Sequence, residues 1–150
     1  MTQGQDVGFD GNQTLKGRKR HILVDPLGLI LAVVVTSATT DDRPGLQALG
    51  AQYGTSGVKR LRTIWVDGGD EAPGLKDWVR ELKQTHKIDL EVGEHNGKGF
   101  EVIAERWKVE RTFSWILNDR RNARDYETLP ANSEARIQIS TTRMLLHRMA

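Results

Sequence analysis

The sequence predicts a mixed α/β domain, a sheet flanked by helices, and three observations carry that expectation. Two β-branched, apolar runs, Arg18 to Val24 and Leu29 to Thr36, are separated by Asp25-Pro26-Leu27-Gly28, whose residues are turn formers. Two more short apolar runs, Leu61 to Val66 and Ile88 to Val92, have the length of strands. Alternating with them are segments whose apolar residues fall at helical spacing: Leu75, Trp78, Val79 and Leu82, then Val109, Phe113, Ile116 and Leu117. The order hairpin, helix, strand, helix, strand, helix gives an antiparallel start that feeds right-handed crossovers.

Each element has a local cause. Residues 1–15 are rich in Gly, Gln, Asp and Asn and poor in apolar residues, which predicts a flexible arm ahead of one domain spanning 16–150. After the hairpin, Asp41-Asp42-Arg43-Pro44 has the acid and proline of a helix start, leading into Leu46 and Leu49 and ending near Gly54. The strand Leu61 to Val66 precedes an amphipathic helix over Ala72 to Thr85. Ile88 to Val92 alternates as a short strand, Gly93 to Gly99 is a glycine-dense loop, and Phe100 to Ala104 is extended ahead of the helix that carries Glu110. A polar connection runs through Pro130, and Ser133 caps a last helix with Ile137, Met144 and Leu145 on one face. This order corresponds to most of a ribonuclease H-like domain.

Composition narrows the chemistry. At 150 residues, the chain is long enough for one core and too short for two. Its 37% hydrophobic and 28% charged content is that of a soluble domain, and no apolar run nears the ~20 residues that span a bilayer. With neither a basic start nor an apolar segment at the amino terminus, a cytoplasmic location is expected. The absence of cysteine excludes disulfides, thiolate metal sites and cysteine nucleophiles. The four histidines show no metal-ligand spacing, so zinc is not expected and any metal must be held by oxygen.

Two acids stand out. Ile64-Trp65-Val66-Asp67-Gly68-Gly69 reads as a buried strand that delivers Asp67 to the carboxyl edge of the sheet, where open α/β sheets place their sites. Glu110 lies beside the apolar stripe of its helix. Judged alone, Asp-Gly-Gly after a strand is an ordinary tight turn, and Glu110 is a solvated residue paired with Arg106 or Arg111. Positive charge is clustered even though the net charge is only +2. Lys16, Arg18, Lys19 and Arg20 form one group; Arg106, Lys108, Arg111, Arg120, Arg121 and Arg124 gather around Glu110, interleaved with Trp107, Phe113 and Trp115. Such clusters suit a phosphate backbone, the plain alternative being a solvated charged face.

Over nearly its whole length the chain resembles bacterial insertion-sequence transposases of the DDE type, specifically the insertion-sequence-five family. Lys16-Gly17-Arg18-Lys19-Arg20-His21-Ile22-Leu23-Val24-Asp25 with Leu27-Gly28-Leu29 is similar to that family's hairpin signature. Trp65-Val66-Asp67-Gly68-Gly69 resembles the block of its second catalytic acid, and Glu110 within Arg106-Trp107-Lys108-Val109-Glu110-Arg111-Thr112-Phe113 corresponds to the third. The resemblance implies metal-dependent DNA strand cleavage and strand transfer, with Asp67 and Glu110 as catalytic residues and ligands of two Mg2+ or Mn2+ ions. It also implies DNA contacts from Lys16, Arg18, Lys19, Arg20, Arg106, Arg111, Arg120 and Arg121. Insertion-sequence ends and target DNA are the implied partners, alongside homo-oligomers or an upstream transposase polypeptide.

Two positions depart from the family pattern. Its first catalytic aspartate lies on a central strand upstream of the Lys16-Gly17-Arg18 block. Asp10 precedes the hairpin, but Met1 to Val7 lack the apolar run of such a strand, and Asp25 sits in the turn. The chain is therefore expected to be a partial domain, a truncated or second-reading-frame polypeptide, and to be defective as an isolated enzyme. The second departure is Asp70, where the family has an aromatic residue. From a different class, the alternative is a non-catalytic DNA-binding fragment that modulates an intact transposase.

Overall fold

The structure, a computed structural model, describes residues 4–11, 14–55, 63–67, 80, 84, 89–93 and 106–149. The expected helix over Ala72 to Thr85, the glycine loop beyond Gly93, the segment Phe100 to Ala104, and Asp70 lie outside these residues apart from Arg80 and Gln84, both helical. Three strands, β1 (Gly8–Asp10), β2 (Leu15–Val24) and β3 (Ile30–Ser37), form an antiparallel sheet in the order β1-β2-β3. Two more, β4 (Thr63–Asp67) and β5 (Asp89–Gly93), pair in parallel as a separate two-stranded sheet. The helices are α1 (Asp42–Thr55), α2 (Arg106–Leu117), α3 (Arg120–Ala123) and α4 (Pro130–Met149). No described helix is long and apolar enough to cross a membrane.

The hairpin forms the centre of a three-layer sandwich. Side chains alternate across a strand, so the continuous apolar run of β3 supplies both faces. Val33 and Val35 pack with Ile116 of α2 and Ile137 of α4, supported by Ile22, Ile30 and Phe113. Ala32 packs with Leu49 and Tyr53 of α1, supported by Leu23 and Val34. A strand buried on both faces is what an unbroken apolar run encodes. Near the amino end of α1, Gly45 lies against the His21 ring of β2, leaving no room there for a Cβ.

The two edges of this sheet differ. On β3, the outward N–H groups of Val33 and Val35 donate to Gln52 Oε1 at 2.9 Å and Glu134 Oε1 at 2.8 Å, so a helix on each face closes that edge. β1 pairs with β2 only over Leu15 to Gly17, with Gly8 lying against Ser37 and Thr39 at the end of β3. Among the described residues nothing pairs with or caps the outer edge of β2 from Arg18 to Val24. Ahead of β1, Asp6 adopts φ 56°, and the Gln5 N–H donates to the Thr128 carbonyl at 2.8 Å.

Three details differ from expectation. Within residues 1–15, Gly8–Asp10 is a paired strand. The last helix starts at Pro130, a residue suited to a first helical turn; Ser133 is inside it, buried, its hydroxyl donating to Asp125 Oδ1 at 2.6 Å rather than capping. A short helix, α3, occupies the polar connection, capped by Asp119, whose carboxylate accepts from the Arg121 N–H at 3.0 Å.

Candidate functional site

Asp67 is the last residue of β4, at the carboxyl end of the parallel pair, opposite Gly93 in register. Ile64 of the same strand is buried. The side chains of Asp67 and Arg106 are outside the described set, as are Gly68 and Gly69. Glu110 lies in the second turn of α2, exposed. Among the described residues no three acidic or imidazole groups converge as a metal site. The donor types are nevertheless those of hard, oxygen-seeking divalent cations.

α2 is seated by the β2–β3 turn. The Asp25 carboxylate Oδ1 accepts from the Leu27 and Leu29 N–H groups at 2.9 and 2.8 Å, and Gly28 adopts φ 83°. That conformation aims two successive carbonyls at the residues following Glu110. Arg111 Nη2 donates to the Leu27 carbonyl at 3.0 Å, and Thr112 Oγ1 donates to the Gly28 carbonyl at 2.9 Å. A Cβ on Gly28 would stand 2.9 Å from Thr112 Oγ1 and 3.1 Å from Trp115 Cζ3. The glycine of Leu27-Gly28-Leu29 is thus required by both backbone and close approach.

The first basic group is not one exposed patch. Arg18, its side chain only 4% exposed, bridges Asp125 at 3.4 Å and donates to the Glu127 and Thr128 carbonyls. Arg20 donates to the Asn122 carbonyl at 2.8 Å. Lys19 bridges Asp42 at 3.2 Å and Asp10 at 3.7 Å. Burial opposes the Lys19 charge, but its hydrogen bond and attraction to Asp42, with Asp10 adding to both, hold the ammonium above its usual range. Asp10, the acid nearest the hairpin, is therefore engaged in an ion pair. Lys16 is exposed.

The second group has a different character. The Arg111 guanidinium lies 4.2 Å from the Trp107 ring centroid and 4.6 Å from that of Trp115, and Arg148 lies 4.2 Å from Trp115. The spacing of 107, 111 and 115 at four-residue intervals puts all three on one helix stripe. Arg120 and Arg121 are exposed on α3, Arg121 reaching Glu127 at 3.8 Å. Phe113 packs against the core, its role expected from helical periodicity. Sequence reasoning did not single out Thr112, Arg143 or Arg148. Thr112 carried a signal in retrospect, since a polar residue four before the core residue Ile116 falls on the buried stripe and needs a partner.

Comparison with known proteins bears on the same blocks. A family model described as "Transposase DDE domain" matches residues 2–145. The "Putative transposase for insertion sequence element IS402" of Burkholderia cepacia is 31% identical over 111 residues, covering 70% of this chain and 51% of that protein. The chain thus spans about half the length of the curated relative it matches. No solved structure matches it. With an acid closing β4 and another on the helix seated by the β2–β3 turn, and with the family match running through both, the chain belongs to the transposase DDE domain family.

Proposed function

We propose that the chain is the carboxyl-terminal portion of a ribonuclease H-like catalytic domain of an insertion-sequence-five-type transposase, acting in metal-dependent DNA strand cleavage and strand transfer. What carries this reading is the pair of acids, Asp67 at the carboxyl end of a parallel strand and Glu110 on the docked helix α2, in a chain of the DDE family. These carboxylates would hold Mg2+ or Mn2+, which supplies activation of the attacking oxygen and stabilisation of the leaving one. Arg106, one helical turn before Glu110, orients it or meets a phosphate. Lys16, Arg120 and Arg121 contribute DNA contacts from the surface. Arg18, Lys19, Arg20 and Arg111 act on DNA only indirectly, through the surfaces they brace.

A third carboxylate is expected from a strand that fills the open edge of β2 over Arg18 to Val24, between it and β4. Two observations support this: the outer edge of β2 over that span has no partner among the described residues, and the curated relative is about twice as long as the part matched. The strand would come from sequence beyond residues 1–150, in the same polypeptide or another. The partner set is then insertion-sequence ends, target DNA and further copies of the transposase.

The test is cleavage of a duplex carrying the element's terminal repeat, with Mg2+, by the chain together with the polypeptide encoded immediately upstream. Asp67→Asn and Glu110→Gln should each abolish cleavage while leaving DNA binding intact. Cleavage that survives both substitutions removes the site. A second reading, a non-catalytic DNA-binding fragment, is favoured by arginines that need no metal, and it predicts binding without cleavage in every combination.

A further inference from the structure

The uncompensated positive charge of the described fold is concentrated at one end, where α3 and the carboxyl-terminal half of α4 meet the end of α2. The acids of that end are committed elsewhere. Asp125 bridges Arg18, Glu127 bridges Arg121 and Arg136, and Asp119 accepts from Ser140 Oγ at 2.6 Å and from the Arg121 N–H. Among the described residues, Arg120, Arg124, Arg143 and Arg148 have no carboxylate within ion-pair distance. All four are exposed. In a chain of net charge +2, so local an excess is a directional feature.

An open groove runs through this end, lined among others by Trp115, Asp119, Ser140, Arg143, Met144 and His147. Arg143 and His147 stand one helical turn apart on its α4 wall. Trp115 does not offer a free stacking platform, because the guanidiniums of Arg111 and Arg148 already lie over its ring at 4.6 and 4.2 Å. Stacking on Trp115 orients Arg148 while leaving guanidinium N–H groups for an acceptor. Among the described residues, the Asp119 carboxylate is the one acid in the wall. Hydrogen bonds from Ser140 and the Arg121 N–H, with the nearby charges of Arg143 and Arg136, hold it below the usual carboxylate range and engage each of its oxygens once. The groove therefore has charge for phosphates, while Asn118 and His147 are polar side chains of its lining that no hydrogen bond among the described residues fixes toward a base edge.

We propose that this groove between α2 and α4 carries the sugar–phosphate backbone of duplex DNA, gripped by Arg143 and Arg148 with Arg120 and Arg124 on its rim, without sequence preference. The inference rests on the transposase reading and adds a surface to it: a backbone track separate from the acids, suited to target or flanking DNA rather than to recognition of an element's end.

The experiment is fluorescence anisotropy of the full chain with two duplexes, one bearing the terminal repeat and one of unrelated sequence, at salt from about 50 to about 200 mM. Each lost phosphate contact lowers the log–log salt slope by about 0.9. The double variant Arg143→Gln/Arg148→Gln should lower the slope by about two and weaken both duplexes equally. Arg148→Lys, which keeps the charge, should retain most of the slope; thermal melts of each variant confirm the fold. An unchanged slope in the double variant, with wild-type binding intact, overturns the track and leaves the transposase reading standing. Loss confined to the terminal-repeat duplex also overturns it, since that outcome means base reading. If the wild-type chain binds neither duplex at low salt, the DNA-acting reading itself falls, and this inference with it.

Discussion

The Thr112 hydroxyl lies 2.9 Å from the Gly28 carbonyl in a buried hydrogen bond, its one proton shared with the Lys108 carbonyl of its own helix at 2.9 Å, and so ties the β2–β3 turn to α2 two residues beyond Glu110. The bond fixes the rotation of the helix about its axis, since Arg111 holds the neighbouring carbonyl of the same turn. Two substitutions separate its parts. Gly28→Ala meets a left-handed backbone and a crowded Thr112, and should cost about 2 kcal/mol, lowering Tm by about 4 to 8 °C. Thr112→Val keeps the shape and leaves the carbonyl without its donor, at about 1 to 2 kcal/mol, whereas Thr112→Ser should restore most of the loss. Equal melting of the Val and Ser variants would show that the hydroxyl contributes nothing.

Arg18 tests whether the amino-terminal basic run acts from inside. Its guanidinium joins β2 to the segment between α3 and α4 through Asp125 and the carbonyls of Glu127 and Thr128. Arg18→Met removes one partner of a nearly buried pair and should destabilise by about 3 kcal/mol, the low end for such pairs because Asp125 keeps some solvent. Lysine cannot reproduce a fork that serves Asp125, the Glu127 and Thr128 carbonyls and Ser133 Oγ together, so Arg18→Lys should recover little. Urea unfolding reads the stability. DNA affinity measured well below the melting transition should change by less than the effect of losing an exposed arginine such as Arg120.

His21 makes the fold acid-sensitive. Burial holds its imidazole below the usual value of 6.5, against the attraction of Asp42, with Lys19 acting in the same direction as burial. The ring bonds Thr36 Oγ1 at 2.9 Å and supports Gly45 of α1. A depressed value means that the folded state binds the proton less readily than the unfolded chain. The stabilising contribution is therefore complete above about pH 6.5 and declines as pH falls toward the folded value. Urea midpoints taken from about pH 7.5 to about pH 5 should drop in the wild type and drop less in His21→Gln. Parallel curves would place the acid sensitivity elsewhere.

The hairpin was legible because its signals are local: β-branched runs, Pro and Gly between them, an aspartate able to bond its own turn. The amphipathic stripe of α2 was legible for the same reason as far as Phe113 and Ile116, which face the core, whereas Leu117, read as part of that stripe, is exposed. The fate of the basic run was not. Nothing within Lys16 to Arg20 announces that Asp125, more than a hundred residues away, meets Arg18, or that Asp42 and Asp10 share Lys19. Alternation along β2 sends successive charges to opposite faces, each covered by a helix or its flanking loop, so a cluster in sequence is divided in space. Likewise α3 is too short to carry a periodic signal, and Ser133 resembled a cap because a serine before an apolar run looks the same whether it ends a loop or sits one turn inside a helix. For the candidate site, the strand placement of Asp67 and the helix placement of Glu110 followed from pattern, whereas the excess of arginines around α4 without an acidic partner among the described residues depends on where distant acids lie.

The open edge of β2 leads to the last prediction. Val33 and Val35 point their N–H groups away from β2 toward Gln52 and Glu134. In an antiparallel ladder the opposite residues share that alternation, so Ile22 and Arg20, which face Val33 and Val35 in register, also point theirs outward, and His21 and Leu23 point theirs toward β3. Hydrogen exchange of the chain alone should therefore alternate along β2, with His21 and Leu23 protected and Arg20 and Ile22 exchanging fast. A strand supplied by the upstream polypeptide would bond those outward groups, and the alternation should vanish when the two are mixed. Protection of Arg20 and Ile22 in the chain alone would mean the edge is already covered, and the third carboxylate would then have to reach Asp67 and Glu110 by another route.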